Sequence, residues 1–251
     1  MPQTIDDWPE SFAVMPSFRC PTCQKGTLIP QDSKGKTIRA RSGYVEHHMD
    51  IDPHPDHDSG YSADTLRCNS SRCEQVVLAV GEWNYREVEY ELDEAEEYRS
   101  AWGYKQIFTP QFFLPPLNII QMPENTPESV RSRLRRSFAA FWSDTLSSSA
   151  HARAAVESIL DERGVPRTDS KGAFLTLHKR LLEFAVVESV ASDRLMAIKW
   201  VGNGGAHGTV EVTRQRVLDV YNLLENVLHR LYDNYDAELT KLAQEINSKK
   251  G

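Results

Sequence analysis

No stretch of this 251-residue sequence approaches the roughly 18 consecutive apolar residues that span a membrane. Its first residues also lack a basic segment followed by an apolar core, so no secretory signal is visible. The expectation is a cytoplasmic protein with no membrane association. A Gly-rich phosphate loop, a Gly-x-Ser-x-Gly elbow and a His-Glu-x-x-His helix are missing as well, and with them the signatures of three large enzyme classes. Positive charge is in deficit: 29 Lys and Arg stand against 36 Asp and Glu, a formal net charge of −7. Such a balance argues against a surface that coats nucleic acid, yet it leaves room for a local basic site, because most of the arginines lie in the C-terminal half. The apolar fraction of 40% and charged fraction of 26% are those of an ordinary folded chain, long enough for one or two domains.

Cysteine is scarce, and its four copies fall in two pairs. Cys20-Pro-Thr-Cys23 is followed by Gly26, a turn whose backbone N–H groups point at a thiolate. Cys68-Asn-Ser-Ser-Arg-Cys73 leads into the β-rich run Gln75-Val-Val-Leu-Ala-Val80. Two such knuckles supply four thiolates, and Cys20, Cys23, Cys68 and Cys73 are the expected ligands of one structural zinc. A redox Cys-x-x-Cys would leave the second pair without a role. Between the knuckles, His47, His48, His54 and His57 lie among aspartates; a second metal site competes there with a solvated loop.

From Trp83 to Leu92 apolar residues alternate, which suits a last strand within residues 82–99. Prolines then dominate a connector, and after Thr126-Pro-Glu-Ser the period becomes helical. Thr126 is the expected N-cap of a first helix with Val130, Leu134, Phe138, Phe141 and Thr145 on its stripe. Further helices are expected over about 149–163, 174–187 (burying Phe174) and from 192, with a long last one over 213–246. The near-heptad stripe of that last helix suggests contact with another subunit. The fold class is α+β, multidomain: a zinc ribbon over 1–104, a proline-rich connector over 105–125 and a helical domain over 126–251.

One stretch runs against helical propensity. Lys199-Trp-Val-Gly-Asn-Gly-Gly-Ala-His207 carries three glycines, each costing roughly 1 kcal/mol against alanine inside a helix. Either something approaches closely, or the helix ends there with a glycine cap. On a helix, Lys199, Asn203 and His207 share one stripe. His207 can exchange protons near neutral pH, Asn203 can hold a phosphate oxygen or fix the imidazole tautomer, and Lys199, Arg194 and Arg153 are cationic candidates. Metal-free cleavage of a phosphodiester needs such a set: a base for the 2′-hydroxyl, an acid for the leaving oxygen and positive charge on the phosphate. The bland alternative is a histidine capping a broken helix. Glu157 follows Arg153 by four residues and either orients it or forms an ordinary helix-edge pair. Arg131 and Arg135, with Arg133 and Arg136, make one helix basic and are candidates for RNA binding.

Three segments carry a resemblance: Pro123-Glu-Asn-Thr-Pro-Glu-Ser-Val130, Ala150-His-Ala-Arg-Ala-Ala-Val-Glu-Ser-Ile-Leu160 and Ile198-Lys-Trp-Val-Gly-Asn-Gly-Gly-Ala-His207. Together, over about residues 105–235, they resemble a family of HEPN-like domains labelled a domain of unknown function, recurrent in bacterial defence proteins and restriction subunits. With the ribbon in front, the chain is similar to zinc-finger HEPN-like ribonucleases of anti-phage immunity. That resemblance implies an Arg-polar-x-x-x-His motif facing its copy in a dimer. Asn203 matches the polar position and His207 the histidine, while Gly202 stands where the arginine belongs. The implied function is a metal-independent endoribonuclease, a toxin-like effector held off until a phage component binds. Its partners would be RNA, a phage protein trigger and a second copy of the chain. His207 would be the general acid/base, Asn203 its positioner, Arg153 and Lys199 the charge stabilisers and Glu157 the residue orienting Arg153. The alternative is a non-catalytic adaptor of zinc ribbon and helical bundle.

Overall fold

Alternation of apolar side chains organises the first half of the chain. The computed structural model describes residues 8–31, 38–39, 58–90, 101–206, 211–233 and 235–248. Strands β1 (Phe18–Arg19), β2 (Thr27–Pro30), β3 (Ile38–Arg39), β4 (Ser59–Cys68), β5 (Val76–Tyr90) and β6 (Ala101–Leu114) form one antiparallel sheet. Its order is β1-β2-β4-β5-β6, with β3 also paired to β4. Because successive side chains point to opposite faces, Leu28, Leu66, Val77, Ala79 and Phe113 are buried with Phe18. Ile29, Leu78, Val80, Phe112 and Leu114 lie on the other, exposed face. Trp8 stacks on Phe18 with ring centroids 5.6 Å apart, and Phe12 exchanges two backbone hydrogen bonds with Phe108 at 2.7 and 2.8 Å.

Two expectations are replaced here. The β-rich run at Gln75–Val80 and the separate last strand expected within 82–99 are one strand, β5, which starts at Val76 and is described as far as Tyr90. Residues 105–114, about half of the expected connector, belong instead to β6, whose Phe108 and Phe112 pair in register with Trp83 and Val80. Pro110 is accommodated because it sits opposite Gly81, where the β5–β6 ladder slips by a bulge. A Cβ on Gly81 would overlap the Thr109 carbonyl. The chain divides into two units after this strand, Met1–Asn118 and Ile119–Gly251.

The second unit is helical: α1 (Glu128–Ala140), α2 (Thr145–Glu162), α3 (Leu177–Ala185), α4 (Ser189–Ala206), α5 (Arg214–Tyr232) and α6 (Tyr235–Ser248). The architecture is thus α+β. Side chains at three- and four-residue spacing form the core: Val130, Leu134 and Phe138 from α1, Val156, Ile159 and Leu160 from α2, Leu181 and Phe184 from α3, Leu195 and Ile198 from α4, Val217, Leu224 and Leu228 from α5. At its centre the Tyr221 hydroxyl shares hydrogen bonds with Ser137 (2.8 Å) and Ser148 (2.7 Å), and the Ser137 hydroxyl donates to the Ser148 carbonyl at 2.7 Å. A buried network of this kind holds only when every member is partnered.

The helix ends differ from expectation in four places. Pro127, not Thr126, is the N-cap of α1, and no side chain accepts there; the Arg131 guanidinium instead takes the Thr126, Pro123 and Glu124 carbonyls. Helix α2 starts at Thr145, because the Asp144 side chain accepts from the Ser147 N–H at 3.0 Å. It stops where expected, at Gly164, whose φ of 74° is the left-handed conformation glycine tolerates. Phe174 is 88% exposed rather than buried, since α3 begins only at Leu177, after the Thr176 cap. The long last helix is two helices, interrupted between Tyr232 and Tyr235.

Candidate functional site

The four cysteines converge from two hairpins. Cys20 and Cys23 lie on the turn joining β1 to β2; Cys68 ends β4 and Cys73 precedes β5. Their sulfurs all lie within 4.8 Å of one another, with Cys20–Cys73 at 3.8 Å and Cys23–Cys68 at 3.7 Å, and no disulfide joins them. Each turn closes through a residue in the left-handed region, Gln24 (φ 54°) and Glu74 (φ 47°). The Gly26 N–H approaches the Cys23 sulfur at 3.3 Å and the Ser70 N–H approaches the Cys68 sulfur at 3.5 Å. Those donors favour thiolates. Burial pushes the Cys20 thiol up to about 12 and also raises Cys68. Cys23 moves the other way: burial opposes the change, but the Gly26 and Lys25 amides and the neighbouring thiols bring it down to about 6. Four packed thiols cannot all lose protons without a cation among them, so the donor set fits a metal ion. A side chain at Gly26 would overlap the Cys68 sulfur, so that glycine is a requirement of the quartet. His47, His48, His54 and His57 lie outside the described residues.

The second site is the crossing of α2 and α4. The glycine-rich stretch does not end α4 at once: the helix runs through Ala206. Gly202 is buried, and a Cβ there would meet Arg153 Cβ at 2.9 Å, Arg153 Cδ at 3.1 Å and the Ser149 carbonyl at 3.3 Å. Of the two sequence-based explanations for the glycines, close approach therefore holds for Gly202. Helix α2 lays the stem of Arg153 directly across it.

The crossing gathers positive charge. Lys199 lies one turn before Asn203 on α4 and is only 6% exposed. Its amine sits 3.4 Å from the centroid of the Trp200 ring, itself 57% exposed, so the lysine is covered at shallow depth rather than deep in the core. Burial and, next, the Arg153 charge press the Lys199 pKa down. Arg153 Nε is buried with no hydrogen-bond partner among the described residues. Its only ion pair among them is with Glu157 at 3.6 Å, a half-exposed contact worth a few tenths of a kcal/mol. Asn203 is half-buried on the same stretch. Among the described residues, then, the sequence-predicted set Arg153, Glu157, Lys199 and Asn203 lies on these two crossing helices. His207 lies outside the described residues, directly after the last residue of α4. Trp200 was not singled out on the sequence; its position beside a lysine four residues before a polar side chain was the available signal.

Other candidates have different employment. Arg131 is committed to three backbone carbonyls, Arg135 pairs with Glu128 at 2.6 Å and Arg194 donates to Asn226 at 2.6 Å. On α2's last turn, Asp161 accepts from Arg180 at 2.8 Å and from Arg167, and Arg180 also donates to the Val165 and Pro166 carbonyls. That cluster fixes the loop leading into α3.

No described helix is long and apolar enough to cross a membrane. No curated protein and no solved structure matches the chain. Residues 11–113 match the model of a family described as Domain of unknown function (DUF8608), which spans the ribbon's strands and all four cysteines. Residues 135–249 match a second, described as Domain of unknown function (DUF4145), so each of the two structural units is similar to a family of its own, and Arg153, Lys199, Asn203 and His207 all fall in the second.

Proposed function

We propose that the helical unit is a HEPN-like domain whose α2–α4 crossing binds a phosphodiester of RNA and cleaves it without a metal. The observation that carries this reading is the meeting of two cations, Arg153 and Lys199, whose only carboxylate partner among the described residues is the weakly held Glu157. Like charges brought together under cover are costly unless an anion joins them. A phosphate does so, and it also satisfies the orphaned Arg153 Nε. In this reading Arg153 substitutes in space for the arginine missing at Gly202, because its stem occupies the room a side chain there would need.

His207 acts as general acid/base, moving a proton between the RNA 2′-hydroxyl and the leaving 5′-oxygen. Asn203 donates to a phosphate oxygen or holds the imidazole, and Arg153 and Lys199 stabilise the charge that builds on phosphorus. Glu157 steadies Arg153. The cysteine quartet holds zinc: a tetrahedral site with Zn–S bonds of about 2.3 Å has edges of about 3.8 Å, which the two measured sulfur separations match. Zinc there is structural and takes no part in the cleavage. The ribbon serves as the module that senses a phage component, and a second copy of the chain supplies the facing motif.

The experiment is expression in bacterial cells with RNA integrity as the readout, repeated in vitro with purified dimer. Wild type is expected to cut RNA in EDTA, with His207→Ala and Arg153→Gln lowering kcat by two to three orders of magnitude, as loss of one charge-stabilising or proton-transfer group does. If all three are equally inert, in the presence of candidate phage proteins as well, the enzyme reading falls. Gly202 at the motif's arginine position favours the second reading in that event, a non-catalytic adaptor.

A further inference from the structure

A second set of cations lies on the other side of α2 from the crossing's Arg153. Helices α1 and α2 are neighbours joined by the short segment 141–144, and the Ser137 hydroxyl bond to the Ser148 carbonyl at 2.7 Å fixes their register. One turn farther from that bond along α2 is His151; one residue before it along α1 is Arg136, with Arg133 a turn beyond. The charges of Arg136 and Arg133 reach His151: after burial, they are what lowers its pKa. Arg133 and Arg136 are exposed. Among the described residues neither meets an acidic side chain, whereas Arg131 is spent on carbonyls and Arg135 on Glu128. In a chain of net charge −7, an uncompensated arginine pair beside a half-buried histidine is a departure from the mixed surface around it.

We infer that Arg133, Arg136 and His151 form a seat for the phosphodiester backbone of the RNA, separate from the residues proposed to cleave it. The inference rests on the RNA-cleaving reading for its partner, but not for its geometry. Arg133 and Arg136 stand three residues, about 4.5 Å of helix rise, apart along α1, and their long exposed side chains have the reach to meet neighbouring phosphates of one strand. They carry no base readout, so the seat binds without sequence preference and governs affinity and its salt dependence.

The test uses the full chain and a short fluorescein-labelled 2′-O-methyl RNA, which cannot be cleaved through a 2′-hydroxyl. Anisotropy titrations over a salt series compare wild type with Arg133→Gln/Arg136→Gln. The double variant is expected to bind on the order of tenfold more weakly at low salt, and its log–log salt slope to fall by about 1.4, the loss of two single-strand phosphate contacts. Arg133→Lys/Arg136→Lys keeps the slope, and Arg135→Gln, which removes a paired arginine from the same helix, leaves affinity unchanged. An unchanged slope in a double variant with wild-type thermal unfolding overturns the seat, as does absence of binding by wild type. Cleavage of unmodified RNA, followed in parallel, is read separately: wild-type cutting with an unaltered double variant leaves the enzyme reading standing without the seat.

Discussion

The stem of Arg153 lies against the backbone of Gly202, so closely that a methyl group on the glycine would stand 2.9 Å from Arg153 Cβ. One helix thus surrenders a side chain so that the other can bring its guanidinium over the crossing.

Gly202→Ala is therefore expected to destabilise the helical unit by about 1–3 kcal/mol, the usual range for overpacking, although alanine is the better helix former by roughly 1 kcal/mol. Gly202→Arg, which puts an arginine at the position it holds in the HEPN motif, is expected to be worse still and to add no activity, because Arg153 already fills that space. Urea unfolding and RNA cleavage of both variants check this. A stable, more active Gly202→Arg would show that the arginine's place is open.

Lys199 should leave its mark on stability at alkaline pH. Its folded pKa is depressed below the ordinary 10.5 by burial and by Arg153. The unfolded chain then holds the extra proton between the two values, and stability rises with pH across that window. Below the folded pKa the cost of a charged, covered lysine is fully present. Lys199→Met is expected to remove the slope and raise stability at neutral pH while abolishing tight anion binding. Melting temperatures of the two proteins from pH 7 to 10.5 decide it; parallel curves would refute the depressed lysine.

Asp161 behaves oppositely. Hydrogen bonding to Arg167 first, and the nearby Arg180, hold its carboxyl below the ordinary 3.8. Its contribution is present above 3.8 and disappears as pH falls through the lower folded value. Asp161→Asn leaves Arg180, 5% exposed, without its carboxylate, at an expected cost of about 2–3 kcal/mol at pH 7. The difference between variant and wild type should vanish in acid, which thermal unfolding at descending pH measures.

Gly26→Ala tests the metal quartet without touching a ligand. The added methyl overlaps the Cys68 sulfur, so bound zinc should fall toward none, the outcome also expected of Cys20→Ser. Chelation of the wild type should unfold the ribbon and leave the far-UV signature of the helices. Metal analysis and circular dichroism report both; full zinc content in Gly26→Ala would contradict the close approach.

Part of the first unit was legible, because ligand spacing and strand composition are local codes: the cysteine pairs, the β-rich run after Cys73 and the alternation from Trp83 each mark strand or turn unaided, though not that the two runs are one strand. Strand β6 was not. Its prolines and aromatics look like a packed connector until β5 is present to pair with, since Phe112 finds Val80 only through a hairpin whose register is a tertiary fact. Phe174 misled for a related reason. Its apolar side chain fits a helical stripe, but the Thr176 cap starts α3 beyond it, and local hydrogen bonding decided the boundary.

The sequence by itself marked the candidate residues: four thiols at metal-ligand spacing, and Lys199, Asn203 and His207 at the spacing of one helical stripe. It also marked the glycines as costly, since propensity is a property of each residue alone. Only the tertiary structure decided why Gly202 is worth that cost and which cation lies over it. Arg153 is 49 positions away along the chain, and no periodicity within either helix specifies where the two cross. That crossing is set by the packing of both apolar stripes into one core, and it converts an arginine of α2 into a neighbour of Lys199.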